Sequence, residues 1–246
     1  MVPRRPLLHL LPLAALLLLP APATSLPQRP GAAGVRAKPF TDDLKWVRGV
    51  NYVPSSAHND MGIWLDYDSA LVHQELGYAG KQGFNAVRVF LHWLAWQHDP
   101  AVFMERIEDF LAAAHTAQLK VLFVVLDSCF GDVNAEASWI PDAKYRNMTW
   151  IPNPGPAIVD AGPAGWGQLE AYVTQLVTAH KADERVLGWD VMNEPAFGGD
   201  LDHLTTFIQH FTVRSVETLQ TPSPRPSLPL CWLPHPPPFP NGSHPR

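Results

Sequence analysis

Between Lys45 and Leu219 the chain alternates four times between short apolar runs and longer segments of helical periodicity. That alternation predicts a parallel α/β sheet with helices packed against it. The first run, Lys45 to Val53, stops at Pro54-Ser55, and Ser69 to Gln82 then places Leu71, Val72, Leu76 and Ala79 on one helical face. Phe84 to Leu91 reads as a second strand. Asp99 followed by Pro100 has the form of a helix start, an acceptor side chain at the N-cap and proline in the first turn. The helix it opens keeps Val102, Phe103, Ile107, Phe110, Leu111 and Ala114 together. Lys120 to Leu126 is apolar almost without interruption, the pattern of a strand buried on both faces. An irregular stretch from Asp127 to Gly165 precedes a helix over Gly167 to His180, a fourth strand from Val186 and a last helix from Leu201 to Leu219.

The two ends have a different character. Arg4 and Arg5 precede a leucine-rich run from Leu7 to Leu19, and Ala21-Pro22-Ala23 is a small-x-small cleavage sequence, so residues 1–23 read as a secretory signal. The apolar run is interrupted by His9 and Pro12 and is shorter than the roughly 20 residues that span a bilayer. Residues 24–38 read as a Pro, Gly and Ala linker, and residues 39–220 as the folded domain. In residues 221–246, 10 of 26 are proline, a composition that cannot bury enough apolar surface to offset ordering entropy. We therefore expect a disordered tail and an extracellular protein without a membrane contact after signal cleavage. Asn147-Met148-Thr149 and Asn241-Gly242-Ser243 are glycosylation acceptors compatible with that route.

With two cysteines there is no disulfide framework, and a net charge of -5 without a basic cluster speaks against a nucleic-acid partner. No zinc-binding histidine pair, Cys-x-x-Cys or phosphate-cradling glycine loop is present, so neither a metal nor an organic cofactor is expected. Ser128 and Cys129 stand at a strand end, but no Gly-x-Ser-x-Gly elbow surrounds them.

The chemistry is concentrated at Trp189-Asp190-Val191-Met192-Asn193-Glu194-Pro195. A strand-like run ends in an adjacent carboxamide and carboxyl, and a proline stops the strand. Reacting groups in barrel enzymes sit at this kind of strand end. The segment resembles the Asn-Glu-Pro signature that closes the fourth strand of clan A glycoside hydrolases, particularly the family 5 type. Arg48-Gly49-Val50-Asn51-Tyr52 resembles the family's first strand, Gly83 to Val89 its second with Arg88 inside, and Val121 to Asp127 its third. The resemblance implies a TIM (β/α)8 barrel of which about four β/α units are present, acting on a β-linked glycan such as a β-mannan or β-glucan. It makes Glu194 the general acid/base and Asn193 the amide that binds the sugar 2-hydroxyl. It gives Arg88 a place beside the catalytic carboxylates.

Asn51 and Tyr52 end the first strand, His92 and Trp93 follow the second and Asp127 ends the third, and all five are expected to line the substrate site. Trp139, Trp150 and Trp166 are candidate sugar platforms, with ordinary packing the competing reading for each. The family's nucleophile lies on a seventh strand, which has no counterpart here. From these residues we expect a truncated chain without turnover. The rival readings are a non-catalytic glycan-binding remnant and an unstable fragment that self-associates through open sheet edges.

Overall fold

The structure is a computed structural model that describes residues 44–128, 134–195 and 201–221. The expected secretory signal (residues 1–23) and linker (residues 24–38), Cys129, Cys231, Asn241 and the proline-rich segment from residue 222 onward lie outside the described residues.

Four parallel strands form one sheet: β1 (Gly49–Asn51), β2 (Ala86–Phe90), β3 (Lys120–Asp127) and β4 (Val186–Asn193), in the spatial order β1-β2-β3-β4. Spatial order equal to sequence order means every crossover moves one strand in the same direction. A doubly wound sheet reverses direction at a switch point, whereas a barrel does not. The described residues therefore hold four successive β/α units of an incomplete barrel. The crossovers carry α1 (Asp60–Leu65), α2 (Ser69–Lys81), α3 (Trp93–His98), α4 (Pro100–Thr116), α5 (Pro156–Asp160) and α6 (Gly167–His180), and α7 (Leu201–Gln220) follows β4.

Alternation along the strands divides the sheet into two faces. Val87, Val89, Val121, Phe123 and Val125 turn toward the helices and join a single core with Trp64, Phe103, Phe110, Leu176 and Phe211. Arg88 and Phe90 alternate with those residues and occupy the other face, opposite Leu122 and Val124 in register. Asp190 pairs with Val124 there, and Asn193 pairs with Asp127 at the C-terminal end.

Helix starts follow the side chains the sequence supplies. The Asp99 carboxylate accepts from the amides of Ala101 and Val102 at 3.1 and 3.0 Å with Pro100 in the first turn, and Asp68 accepts from Leu71 at 3.0 Å. Gly80 brings α2 onto α4, because a Cβ there would lie 2.3 Å from the carbonyl oxygen of Ala117.

Three departures from the sequence reading have local causes. β1 is only three residues long, since it pairs with β2 through Gly49, Val50 and Asn51 alone. Beside it, Arg48 spends its amide on the Asn85 side chain instead of a ladder bond. The helices α1 and α3 are six residues each, too short for a periodic signal to emerge. The described part of the stretch after β3 holds α5, three 3-10 turns and an antiparallel bridge between Asp127 and Asn153.

Candidate active site

The sequence-derived site residues separate into two groups. Arg88, Asn51, Asp127 and Asn193 converge. The Arg88 guanidinium donates to Asp190 Oδ2 from Nη2 at 2.6 Å and from Nε at 3.2 Å. The same Nη2 reaches Asn193 Oδ1 at 2.7 Å, Nη1 reaches Asn51 Oδ1 at 3.3 Å, and the guanidinium lies over the Phe90 ring at 4.9 Å. Asn193 then donates from Nδ2 to Asp127 Oδ1 at 2.9 Å, and the Trp150 indole donates to Asp127 Oδ2. One continuous hydrogen-bonded chain thus crosses the C-terminal half of all four strands.

This arrangement orients Asn193. An amide with Arg88 on its oxygen and a carboxylate on its nitrogen has one possible orientation, because a flipped amide would point N–H at a guanidinium and oxygen at a carboxylate. One oxygen lone pair and one N–H remain for a ligand. Arg88 has to be paired, being only partly exposed, and Asp190 supplies the charge. Asp190 is therefore the counter-ion of Arg88, midway along β4.

Glu194 follows directly. It is exposed, its carboxylate has no hydrogen-bond partner among the described residues, and its backbone is left-handed with φ 39°. Ser128 holds that conformation: its Oγ donates to the Glu194 carbonyl at 2.7 Å and its amide to the Asn193 carbonyl at 3.3 Å. Positive φ in a residue with a Cβ is costly and recurs where a side chain must be aimed.

Tyr52, His92 and Trp93 stand apart from this group. Tyr52 falls on the helix side, where its hydroxyl donates to Glu75 at 2.8 Å and its ring packs 5.8 Å from Phe110. Burial and the Glu75 carboxylate push its hydroxyl pKa up. His92 is fully buried and caps α3, its Nδ1 accepting from the Leu94 amide at 3.2 Å. Burial pulls the imidazole pKa down to about 3. Trp93 belongs to the apolar core. Tyr52 follows β1, and His92 and Trp93 lie within three residues of the end of β2. Which way each side chain turns there was decided by packing.

Of the three candidate platforms, Trp166 is core, ringed by Phe207, His210 and Phe211. Trp139 is half-buried against the core. Trp150 alone joins the polar group, its ring edge-on to Phe90 at 5.1 Å.

Asn59, Asp60 and Asn153, all fully buried, support this group and carry little signature in the sequence. Asn153 donates from Nδ2 to the carbonyls of Leu91 and Val125 at 2.8 and 2.9 Å, accepts from the Trp93 amide at 3.2 Å, and bridges the Asp127 backbone in both directions at 2.6 Å. Asn59 holds the carbonyls of Tyr145 and Met148 at 2.6 and 2.9 Å, and Asp60 Oδ1 accepts from the Ile151 amide at 3.2 Å. Together they fasten the segment carrying Trp150 to the start of α1 and, through Asn153, to the sheet. Asp60 Oδ2 and His92 Nε2 are buried without a protein partner. Burial, and next the Asp127 charge, hold the Asp60 carboxyl well above the usual carboxylate range. The only sequence signal for these residues was Asn59 before the apolar run Met61 to Leu65, an N-cap pattern.

A cleft of about 280 Å³ opens beside the polar chain, with Asn51, Arg88, Leu122 and Leu187 in its wall. Another of about 210 Å³ lies between α1, α3 and α4, where Arg106 and Arg146 are already bonded to Trp64 and Asp66. Among the described residues no group of three or more His, Cys, Asp or Glu is placed to hold a metal ion.

No family model matches this sequence, and no curated protein matches it. Solved structures do match the fold. A GH5_18 protein from Streptomyces cattleya in complex with GlcNAc aligns with TM-score 0.50 at 20% identity, over 70% of this chain and 40% of its own. A variant of the same protein, in complex with Manβ1-4GlcNAc, aligns with TM-score 0.50 at 20% identity over 70% of this chain and 41% of its own. An exo-β-1,4-mannosidase of Opitutaceae bacterium strain TAV5 aligns with TM-score 0.51 at 18% identity, over 70% of this chain and 29% of its own. The chain thus spans less than half the length of the solved structures it matches, and what it shares with them is the fold of a partial β/α barrel.

Proposed function

We propose that Glu194, Asn193, Arg88 and Asp127 form the acid/base half of a β-glycoside-hydrolysing site of the family 5 type, in a protein exported through the secretory route. The observation that carries this reading is the pairing of an exposed, unpartnered Glu194 carboxyl with an Asn193 amide locked by Arg88 and Asp127. In a retaining reaction Glu194 protonates the departing glycosidic oxygen and later deprotonates the attacking water. The free lone pair and N–H of Asn193 are suited to a sugar 2-hydroxyl, which both donates and accepts. β-Mannosides are the substrate class to test first, because the matching structures are named for mannosidase activity or hold Manβ1-4GlcNAc.

Retention also needs a nucleophilic carboxylate about 5–5.5 Å from the acid/base. Asp127 is committed to Asn193 and Trp150, and Asp190 to Arg88. Neither is free to attack a sugar carbon. That commitment favours a second reading for the described residues by themselves: glycan binding without turnover.

Titrating the full chain with Manβ1-4GlcNAc and with cellobiose, by ligand-observed NMR, tests both readings. We expect saturable binding of one of them, weakened about tenfold by Asn193→Ala, the scale of a lost hydrogen bond to a half-buried, oriented group. Hydrolysis in the same tubes supports the first reading, and binding alone supports the second. Absence of saturable binding to any β-linked saccharide sinks both.

A further inference from the structure

The structure assigns Asn147 as a site of N-linked glycosylation, an inference that rests on the reading of the chain as exported. Asn147-Met148-Thr149 satisfies the acceptor triplet, but a triplet is common by chance and its surroundings decide whether it is usable. Seven asparagines are described, and the side chains of six of them are spent inside the protein. Asn51 and Asn193 hold Arg88, Asn59 holds the Tyr145 and Met148 carbonyls, and Asn85 holds Trp46 and Arg48. Asn134 caps the Ala157 amide, and Asn153 anchors the third loop. Asn147 alone has no side-chain hydrogen bond among the described residues, and it is exposed. The Thr149 side chain is likewise exposed and without a hydrogen bond.

The backbone of the triplet is held in a fixed form. Asn147 ends the 3-10 turn Lys144–Asn147, and Met148 then turns extended with φ -98° and ψ 140°. Its carbonyl is fastened from beneath by Asn59 Nδ2 at 2.9 Å. Extended backbone at the middle residue, with both flanking side chains exposed, presents the amide and the hydroxyl to solvent together. A glycan here displaces no internal contact, so the fold tolerates it without rearrangement. In the transfer, Asn147 Nδ2 gives up one proton and bonds C1 of the donor sugar. The bond from that carbon to a lipid diphosphate breaks, and the electron pair leaves with the diphosphate. The modified residue stands three positions before Trp150, so the glycan marks the outer surface of the loop whose inner side reaches Asp127.

Translation of the full chain in the presence of endoplasmic-reticulum microsomes, with protease protection to identify imported chains, tests the assignment. We expect imported chains to carry a mobility shift that an amidase specific for N-glycans removes. Asn147→Gln and Thr149→Ala should each abolish the part of the shift due to this site, Thr149→Ser should restore it, and Asn241→Gln should leave it in place. Imported chains whose shift is untouched by Asn147→Gln overturn the assignment alone. Chains that remain outside the microsomes overturn it together with the reading of export.

Discussion

Asp60 and His92 are both fully buried, and burial acts on their folding linkage with opposite signs. The folded state keeps a proton on Asp60 at pH values where the unfolded chain, near the ordinary value of about 4, has released it. More protons bound in the folded state means that stability falls as pH rises from about 4 toward the raised pKa. His92 runs the other way: the folded imidazole stays neutral down to about pH 3, while the unfolded one charges near 6.5. Its stability contribution is lost as pH falls through that window. We expect Asp60→Asn, which keeps the acceptor for the Ile151 amide, to remove the first slope and leave the second. Urea denaturation of the variant should then show stability rising with pH between about pH 4 and 6.5, whereas in the unaltered chain the two slopes oppose one another in that window and the rise is smaller. Glu194 makes a second test at this scale. Its left-handed backbone costs on the order of 1 kcal/mol that glycine would not incur, so Glu194→Gly should stabilise the fold by about 1 kcal/mol while removing the proposed acid. An unchanged or lower denaturation midpoint would contradict that account.

The elements differ in how much they depend on neighbours. β3, α6 and α7 appear within a residue of where hydrophobic pattern put them, because each is long and half or fully buried, so period and burial agree. β1 is an edge strand and takes its length from the partner it finds. The segment between β3 and α6 follows no period, since its shape comes from Asn59, Asp60 and Asn153 bonding its backbone from other elements. Asn153→Ala should cost about 3 kcal/mol, as it leaves the Leu91 carbonyl and the Trp93 amide unpaired in a buried place. The denaturation midpoint measures the loss, and hydrogen exchange should show residues 145–154 opening first. Asp99→Ala removes only a cap, and a cost of about 1 kcal/mol is expected. Gly80→Ala has no room beside Ala117 and should separate α2 from α4, with a cost of about 2 kcal/mol in the same assay.

At the scale of the whole molecule, the sheet has two edges among the described residues. β1 is exposed throughout, and each of β1 and β4 pairs with one strand only. Unpaired strand edges are templates for association. Sedimentation of the purified chain over a range of concentrations should show reversible self-association. A monomer at all concentrations would mean that the edges are covered. No described helix is long and apolar enough to cross a membrane.

Local spacing was enough to announce strands, helix starts and the Asn193-Glu194 strand end, because those depend on side chains a few residues apart. Spacing also placed Asp127 at the level of Asn193, since parallel strands in sequential order align their C-terminal ends, whereas Arg88 lies level with Gly188 and reaches Asn193 through its long side chain. What it did not contain was direction. Alternation has two phases, and only the packing of β1 against β2 and α2 chose the one that turns Tyr52 to Glu75 and Asn51 to Arg88. The same holds for Asp190, whose partner is 102 positions away, and for Asn153, whose acceptors lie on two strands. A hydrogen bond between distant segments has no periodicity, so the shell that orients the site became visible only when the chain had closed around it.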